Sequence, residues 1–340
     1  MILKRGRAAS AWILACGIAF CLAHGRAEAV SKAPAKETKE KTTQVSVRAG
    51  KADNPNFPLA RQFSEAIALA TNGAFALDVK ESQGTVQNVI DAPKSGPDTI
   101  FTASRSVVMR ARHGAQPFKH DRAYNDIRAL FPLPAQTVHW IVRQDSGISS
   151  MADLAGHTFI PGANGSVSQR ITLSALQALG IEKMVQLLDI DVAAAPDAVM
   201  SNKVSGLAMA GSFPITRVAD IAKATPIRFL GLPPAVITKM VAADDSIVPE
   251  TIPTGTYPSL DAGIATVAVP VGMYTTRHMS NATAYALTKT FWSQLGPMSE
   301  KNPAWRAVTG GAIATLGVGL HPGALRFYKE TGISVPASMR

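Results

Sequence analysis

Pro161-Gly162-Ala163-Asn164-Gly165-Ser166-Val167-Ser168-Gln169-Arg170 is the stretch from which the fold is read. The short piece before it, His157-Thr158-Phe159-Ile160, reads as a strand. After it, Ile171, Leu173, Leu176 and Leu179 recur at helical spacing and Gly180 closes the run, so a helix with a glycine stop is predicted. Strand, Gly/Ser loop and helix in that order aim free backbone N–H groups, at the positive end of a helix dipole, toward whatever lies in front. Ser166 and Ser168 add hydroxyls that can donate to an anion. The competing reading is an ordinary βα turn with a serine N-cap. A nucleotide signature does not fit. A P-loop needs Lys directly before its Ser/Thr, where this chain has Gly165, and the glycines at 162 and 165 lack the dinucleotide spacing. The loop suits a small anion, a carboxylate above all.

Working outward, the first residues read as a leader. Lys4, Arg5 and Arg7 precede a mostly apolar run from Ala11 to Ala23, and Ala27-Glu28-Ala29 has the small-x-small pattern of a cleavage site. The run is too short to span a bilayer. Residues 1–29 are therefore expected to be a signal peptide, placing the protein outside the cytoplasm. Cys16 admits a lipoprotein reading, but it lies early in the apolar run and the site after Ala29 fits better. Cleavage there removes both cysteines, Cys16 and Cys21, so no disulfide or thiol chemistry is expected. It also removes a net of three positive charges, taking the formal charge from +10 to +7. The remaining Lys and Arg are scattered without a basic stripe or interleaved aromatics, which argues against nucleic-acid binding and for encounter with anionic ligands. Residues 30–43, with Lys32, Lys36, Glu37, Lys39, Glu40 and Lys41 and no apolar period, read as a flexible tether.

Strands and helices then alternate. Val45–Arg48, Phe75–Val79, Thr99–Phe101, Val138–Val142, Gly206–Ala210 and Thr266–Val269 read as strands. Between them Leu59–Ala70, Val86–Asp91, a helix through Val107–Met109, Ala193–Asn202, Pro214–Ala222 and Ala282–Leu295 read as helices. This pattern predicts an α/β fold with mostly parallel sheets. The seven histidines are scattered, with no H-E-x-x-H and no helical pair, so no metal site is expected. The acid pairs Asp189/Asp191 and Asp244/Asp245 read as solvated loop ends. No G-x-S-x-G elbow is present, and no cysteine survives cleavage to serve as a nucleophile. No enzyme activity and no cofactor are expected; a binding protein is.

Several runs resemble the periplasmic solute receptors of TRAP transporters, of the TAXI type. They are Glu81-Ser82-Gln83-Gly84-Thr85-Val86-Gln87-Asn88, then Val138-His139-Trp140-Ile141-Val142-Arg143-Gln144-Asp145-Ser146-Gly147-Ile148 with Met151-Ala152-Asp153-Leu154-Ala155-Gly156. The Gly162–Ser168 loop and Pro253-Thr254-Gly255-Thr256-Tyr257-Pro258 follow. The most specific is Leu320-His321-Pro322-Gly323-Ala324-Leu325-Arg326-Phe327-Tyr328-Lys329-Glu330. The similarity covers about residues 45–333.

The resemblance implies a two-lobe periplasmic-binding-protein fold of the type II, clam-shell kind, with hinge strands between the lobes. Lobe I would comprise 44–139 and 235–340, and lobe II 140–234. It further implies a monomeric receptor that closes on a small carboxylate and presents it to a membrane permease. Carried over by position, the ligand-binding residues are Gly162, Asn164, Gly165, Ser166 and Ser168 from lobe II and Thr85, Asn88, Thr102 and Ser104 from lobe I. Thr85 and Asn88 also suit helix-start caps. After the first strand the family carries a glycine- and threonine-rich turn and then tyrosine. Here Gly50-Lys51-Ala52-Asp53-Asn54-Pro55-Asn56-Phe57-Pro58 keeps Gly50 in place. Gly50, Asp53 and Asn54 are the candidates from that turn. Thr102 and Ser104 replace a Gln and an Asp of the family, and an α-ammonium group wants such an acid. That substitution favours a C4–C5 dicarboxylate or keto acid over glutamate. Two other readings stay open. One is a sensing clam-shell that signals to a partner protein. The other is a receptor for thiamine-precursor pyrimidines or sulfonates, which would want more aromatic stacking than 6% aromatic residues supply.

Overall fold

The computed structural model describes residues 42–340 apart from 53–55, 192 and 259. The expected leader 1–29, the tether up to residue 41, and Asp53 and Asn54 lie outside the described residues. Among the described residues no helix is long and apolar enough to cross a membrane.

The chain opens with β1 (Thr43–Arg48), α1 (Asn56–Ala70), β2 (Phe75–Lys80), α2 (Thr85–Asp91), β3 (Thr99–Ser104) and α3 (Arg105–Arg112). A long strand, β4 (Ile127–Arg143), leads into β5 (Thr158–Ile160), α4 (Val167–Leu179), β6 (Gln186–Leu187), α5 (Ala195–Met200), β7 (Gly206–Gly211) and α6 (Thr216–Ala224). Then come β8 (Ile227–Leu230), α7 (Pro234–Ala243), β9 (Val248–Ile252), a second long strand β10 (Ile264–Thr276), α8 (Asn281–Lys301) and α9 (Pro322–Thr331). The described strands form one ten-stranded sheet ordered β2-β1-β3-β10-β4-β7-β5-β6, with β8 added to β4 and β9 to β10. β1, β2 and β3 run parallel, as do β5, β6 and β7, while β4 and β10 are antiparallel to each other and to their neighbours.

Three apolar clusters fill this α/β frame. The first takes Val45, Phe63, Ile100, Phe131, Val271, Phe291 and Tyr328, among others. The second and third lie on the two sides of the sheet beyond the crossing, the stretch where β4 and β10 leave the first cluster, around Trp140, Phe159 and Ile171 on one and Ile141, Leu207 and Val218 on the other. The first cluster stops at Leu133 on β4 and resumes at Val271 on β10. Residues 235–269, which the sequence reading assigns to the first lobe, contribute Ile237, Met240, Val267 and Val269 to the second cluster and Ile252 and Tyr257 to the third. The reason is topological: the chain returns to the first cluster only along β10.

Both long strands exceed their predicted lengths, and proline explains why. A residue without an N–H normally ends a strand prediction. Pro132, Pro134 and Pro270 all lie inside strands here. They sit where the chain passes between clusters. Pro132 pairs with Gly272, and the β10–β4 register shifts between Val269 and Val271, around Pro270. β7 joins β4 only from Thr137 onward, so the missing N–H groups fall where β4 lacks that neighbour. Arg143 stands six residues beyond Thr137, at the far end of the strand. There it pairs with Asp145 and donates to the Met200 carbonyl at 3.0 Å.

A buried hydrogen-bond chain leaves β4 just past the crossing. His139 Nδ1–H donates to the Thr137 carbonyl at 3.0 Å, and its Nε2 accepts from the Tyr257 hydroxyl at 2.9 Å. The same hydroxyl accepts the Ile215 N–H at 2.8 Å. A neutral imidazole, one donor and one acceptor, satisfies every bond. Burial pushes the His139 pKa down to about 4, and the Thr137 bond only partly opposes that shift. Burial likewise raises the Tyr257 phenol, so both rings stay neutral.

The terminal motif docks α9. His321 caps that helix, Nδ1 accepting from Gly323 N at 3.2 Å, while its Nε2 donates to Met279 O at 3.0 Å. Tyr328 donates its hydroxyl to Leu130 O at 2.7 Å and accepts from Trp292 Nε1 at 3.0 Å. A Cβ at Gly323 would run into the Asn281 carbonyl oxygen and lie 2.9 Å from Tyr285 N, so the α8–α9 approach requires glycine.

Two outcomes follow from these contacts. Gly323→Ala must push backbone apart and should cost at least about 2 kcal/mol in chemical denaturation; a loss under 0.5 kcal/mol would show that α9 docks differently. For His139 the native pKa near 4 lies below the ordinary 6.5. The native state therefore binds fewer protons than the unfolded chain between those values, and stability falls as pH drops through that window. Between pH 7 and 4.5 the parent should lose about 2 kcal/mol more than His139→Gln. Equal losses in the two proteins would mean that His139 is not held neutral.

Candidate functional site

The strands of both halves end at the crossing. Ser104, the last residue of β3, pairs with Val271, which in turn pairs with Leu133. Gly211, the last residue of β7, pairs with Thr137. These two points on β4 are four residues, about 13 Å, apart. The C-terminal ends of the parallel strands in each half thus face the same middle stretch of β4 and β10. Ligands of open α/β sheets gather beyond such ends.

On the β5 and β7 side lies a cavity of about 770 Å³. Gly162, Ser166 and Ser168 form one part of its lining. Ser166 is the N-cap of α4, its Oγ accepting from Gln169 N at 3.1 Å, while Gln169 Oε1 accepts from Gly165 N at 2.8 Å. Ser166 and Ser168 hydroxyls lie 2.9 Å apart. One proton serves that contact, so the other remains to donate outward. Ser166 N turns back to Ala163 O at 3.0 Å. Among the described residues no acceptor meets the Val167 or Ser168 N–H, as expected of a first helical turn. Gly162 has φ +115°, and a Cβ there would collide with Ser168 Oγ and stand 2.9 Å from Ser166 Oγ. Glycine therefore keeps the hydroxyl pair uncovered.

A second helix start completes the wall. Ile215 precedes α6 without any side-chain cap, and its N–H is held by Tyr257. Ile215, Thr216 and Arg217 line the cavity. Two helix dipoles thus present their positive ends to one space. Asp191 also lines it, with Oδ1 accepting from Ala193 N at 2.7 Å. Ile160, Leu207 and Met209 supply apolar floor. Asn164 and Gly165 belong to the same loop but stand outside the lining.

The candidates of the first half gather elsewhere. Gly50 donates its N–H to Ser82 Oγ at 2.9 Å. Thr85 opens α2, whose N-cap is Gly84. Asn88 is fully buried in the second turn and is not a cap. Its Nδ2 braces two strands, donating to Arg48 O at 3.2 Å and Thr102 O at 3.0 Å. Thr102 and Ser104, expected in a loop, are the end of β3. Among the described residues Asn88 Oδ1 and Thr102 Oγ1 find no partner. Ser104 Oγ meets Ser106 Oγ at 3.0 Å at the start of α3. None of these five residues lines the 770 Å³ cavity.

A smaller groove of about 370 Å³ separates α3 from the turn after α7, lined by Ser106, Arg110, His113, Arg170 and Asp244, among others. Arg105 donates to the Asp245 carbonyl and Arg170 pairs with Asp244. Burial raises the Asp244 carboxyl, but the Ser246 hydrogen bonds and the Arg170 charge outweigh it and leave the pKa below the ordinary value. Asp244 is therefore ion-paired, unlike the solvated end predicted, while Asp245 is exposed as predicted. Among the described residues no three His, Cys, Asp or Glu side chains gather as a metal site requires.

Sequence reading missed Asp191, Thr216 and Arg217. The helix start at Pro214 was visible, and a helix N-terminus beside a predicted βα loop was the available signal.

Solved structures of similar shape exist. A TctC solute-binding protein from Polaromonas, solved without ligand, matches with 13% identity over 78% of this chain and 86% of its own, at a TM-score of 0.51. MatC from Rhodopseudomonas palustris, with bound malate, matches with 14% identity over 81% and 88%, at a TM-score of 0.46. The periplasmic aliphatic sulphonate binding protein from Escherichia coli matches with 14% identity over 87% and 89%, at a TM-score of 0.44. The likeness to the first supports the two-lobe fold of periplasmic binding proteins. A family model described as NMT1-like matches residues 49–332, and the chain belongs to that NMT1-like family.

Proposed function

We propose that this protein is a periplasmic solute receptor that captures a small organic anion between its two lobes and delivers it to a membrane permease. The carrying observation is the cavity where the α4 and α6 N-termini converge beside the Ser166–Ser168 pair. Such an arrangement binds an anion through N–H groups, dipoles and hydroxyls without needing a dedicated lysine. The first half would close over it, with the segments at Gly50, Thr85 and Ser104 reaching the ligand from across the crossing. Closure of two lobes about a pair of linking strands is an established motion. The TAXI-type motifs make a TRAP permease the proposed partner and C4–C5 dicarboxylates and keto acids the first compounds to try.

Titration calorimetry and thermal shift with a carboxylate panel test this reading. An anion at a hundredfold its Kd should stabilise the protein by about 2.7 kcal/mol. Ser166→Ala should weaken that anion about tenfold, the loss of one hydrogen bond to a charged group. The comparison uses Kd, because losing the N-cap also lowers stability by about 1 kcal/mol. Unchanged affinity in Ser166→Ala would remove the site from this loop.

A further inference from the structure

We infer that the outer end of the first half carries a separate anion site, which takes a phosphate group on Arg112, Arg128 and Arg277. It stands whether or not the 770 Å³ cavity binds a carboxylate. β4 begins at Ile127, opposite Thr276, the last residue of β10, at the end of the pair away from the crossing. A short 3-10 helix, Arg122–Asp126, leads into it. Three guanidinium groups from different elements are drawn onto this turn. Arg112, the last residue of α3, donates through Nε to Asn125 Oδ1 at 3.3 Å. Arg128 donates through Nη1 to the carbonyls of Asn125 at 2.6 Å and Ile127 at 3.0 Å. Arg277, directly after β10, pairs through Nε with Asp126 at 3.0 Å.

The charges there do not balance. Among the described residues Asp126 is the one carboxylate that pairs with any of the three, and it also lies 3.4 Å from His278 Nε2. Asp121, at the start of the turn, accepts the Ala123 N–H at 2.8 Å. Arg128 is held by backbone carbonyls, so its partners do not neutralise it. Burial, then the Arg112 charge and that of Arg277, pull its pKa below the ordinary value, and Asp126 only partly opposes them. Like charges held this close favour a counter-ion among them. Each guanidinium has five N–H donors in a planar fork, and the turn engages few of them. Such forks match the oxygens of a phosphate group, whose charge exceeds that of a carboxylate. Arg277 and His278 are exposed and Arg112 and Arg128 half-buried, so the place is open to solvent. The phosphate could be free or carried on a lipid headgroup, and the two sources need different probes.

The test pairs calorimetric titration with inorganic phosphate, at constant ionic strength, with flotation of the purified protein on phosphatidylglycerol and on phosphatidylcholine vesicles. Saturable phosphate binding would show a free ion. Retention on phosphatidylglycerol alone, without phosphate binding, would show a headgroup. In either case Arg112→Gln and Arg277→Gln should each weaken binding about fivefold. Arg61→Gln, which removes an exposed charge on α1, should stay within about twofold, because salt screens distant charges. Binding to neither probe would overturn the inference. So would binding that both cluster variants leave unchanged, or that Arg61→Gln weakens as much as they do. None of these results touches the carboxylate cavity, which Ser166→Ala tests.

Discussion

The pairing of β4 with β10 is the constraint from which the rest follows. The two strands run antiparallel from Ile127 opposite Thr276 to Thr137 opposite Ala268, and beyond that each takes new neighbours. β4 gains β7 and β8, and β10 gains β9. One side-chain bond spans the point where the ladder ends, Thr266 Oγ1 donating to Val138 O at 2.7 Å. Because β3 lies against β10 and β7 against β4, each with its C-terminal end toward the middle of the pair, and the other parallel strands follow β3 and β7, the strand ends of both halves face the crossing. The location of the candidate cavity is thus a property of topology before any side chain is considered.

Local pattern made most elements readable. The apolar period after Ser168 and the stop at Gly180 correspond to α4 and its left-handed C-cap, where Gly180 has φ 77°. Alternating strands and helices showed the α/β class for the same reason, since periodicity reports burial directly. What local pattern misjudged was the crossing. Pro132, Pro134 and Pro270 read as strand breakers, yet they sit in strands at positions where the ladder is incomplete. β6, with two residues, is too short to establish a period. The allegiance of residues 235–269 depends on which way β10 is crossed, and no local signal encodes that.

The site divides in the same way. The Ser166–Ser168 loop is contiguous, so its serine N-cap and the start of α4 were legible from ten consecutive residues. Asp191 and Thr216 join it only because β6, β5 and β7 stand side by side. Asn88 shows the converse. Its position fitted either a cap or a ligand contact, and its amide instead braces β1 against β3 from inside the fold. A buried polar residue of a candidate site can serve the frame, and burial distinguishes the two roles.

The α6 wall joins these two levels. That helix has no side-chain cap of its own. The N–H of Ile215 is satisfied by a tyrosine from the segment beyond β9, and that tyrosine is satisfied by a histidine two residues past Thr137 on β4. A buried donor left without its acceptor costs about 1–3 kcal/mol, so each bond in this chain fixes the next. Displacing β4 at the crossing would move His139, and Tyr257 could follow only by releasing or carrying Ile215. The geometry of the cavity and the geometry of the crossing are therefore not independent variables. For the closure proposed above, the consequence is that the α6 wall of the candidate cavity is tied by hydrogen bonds to one of the two linking strands.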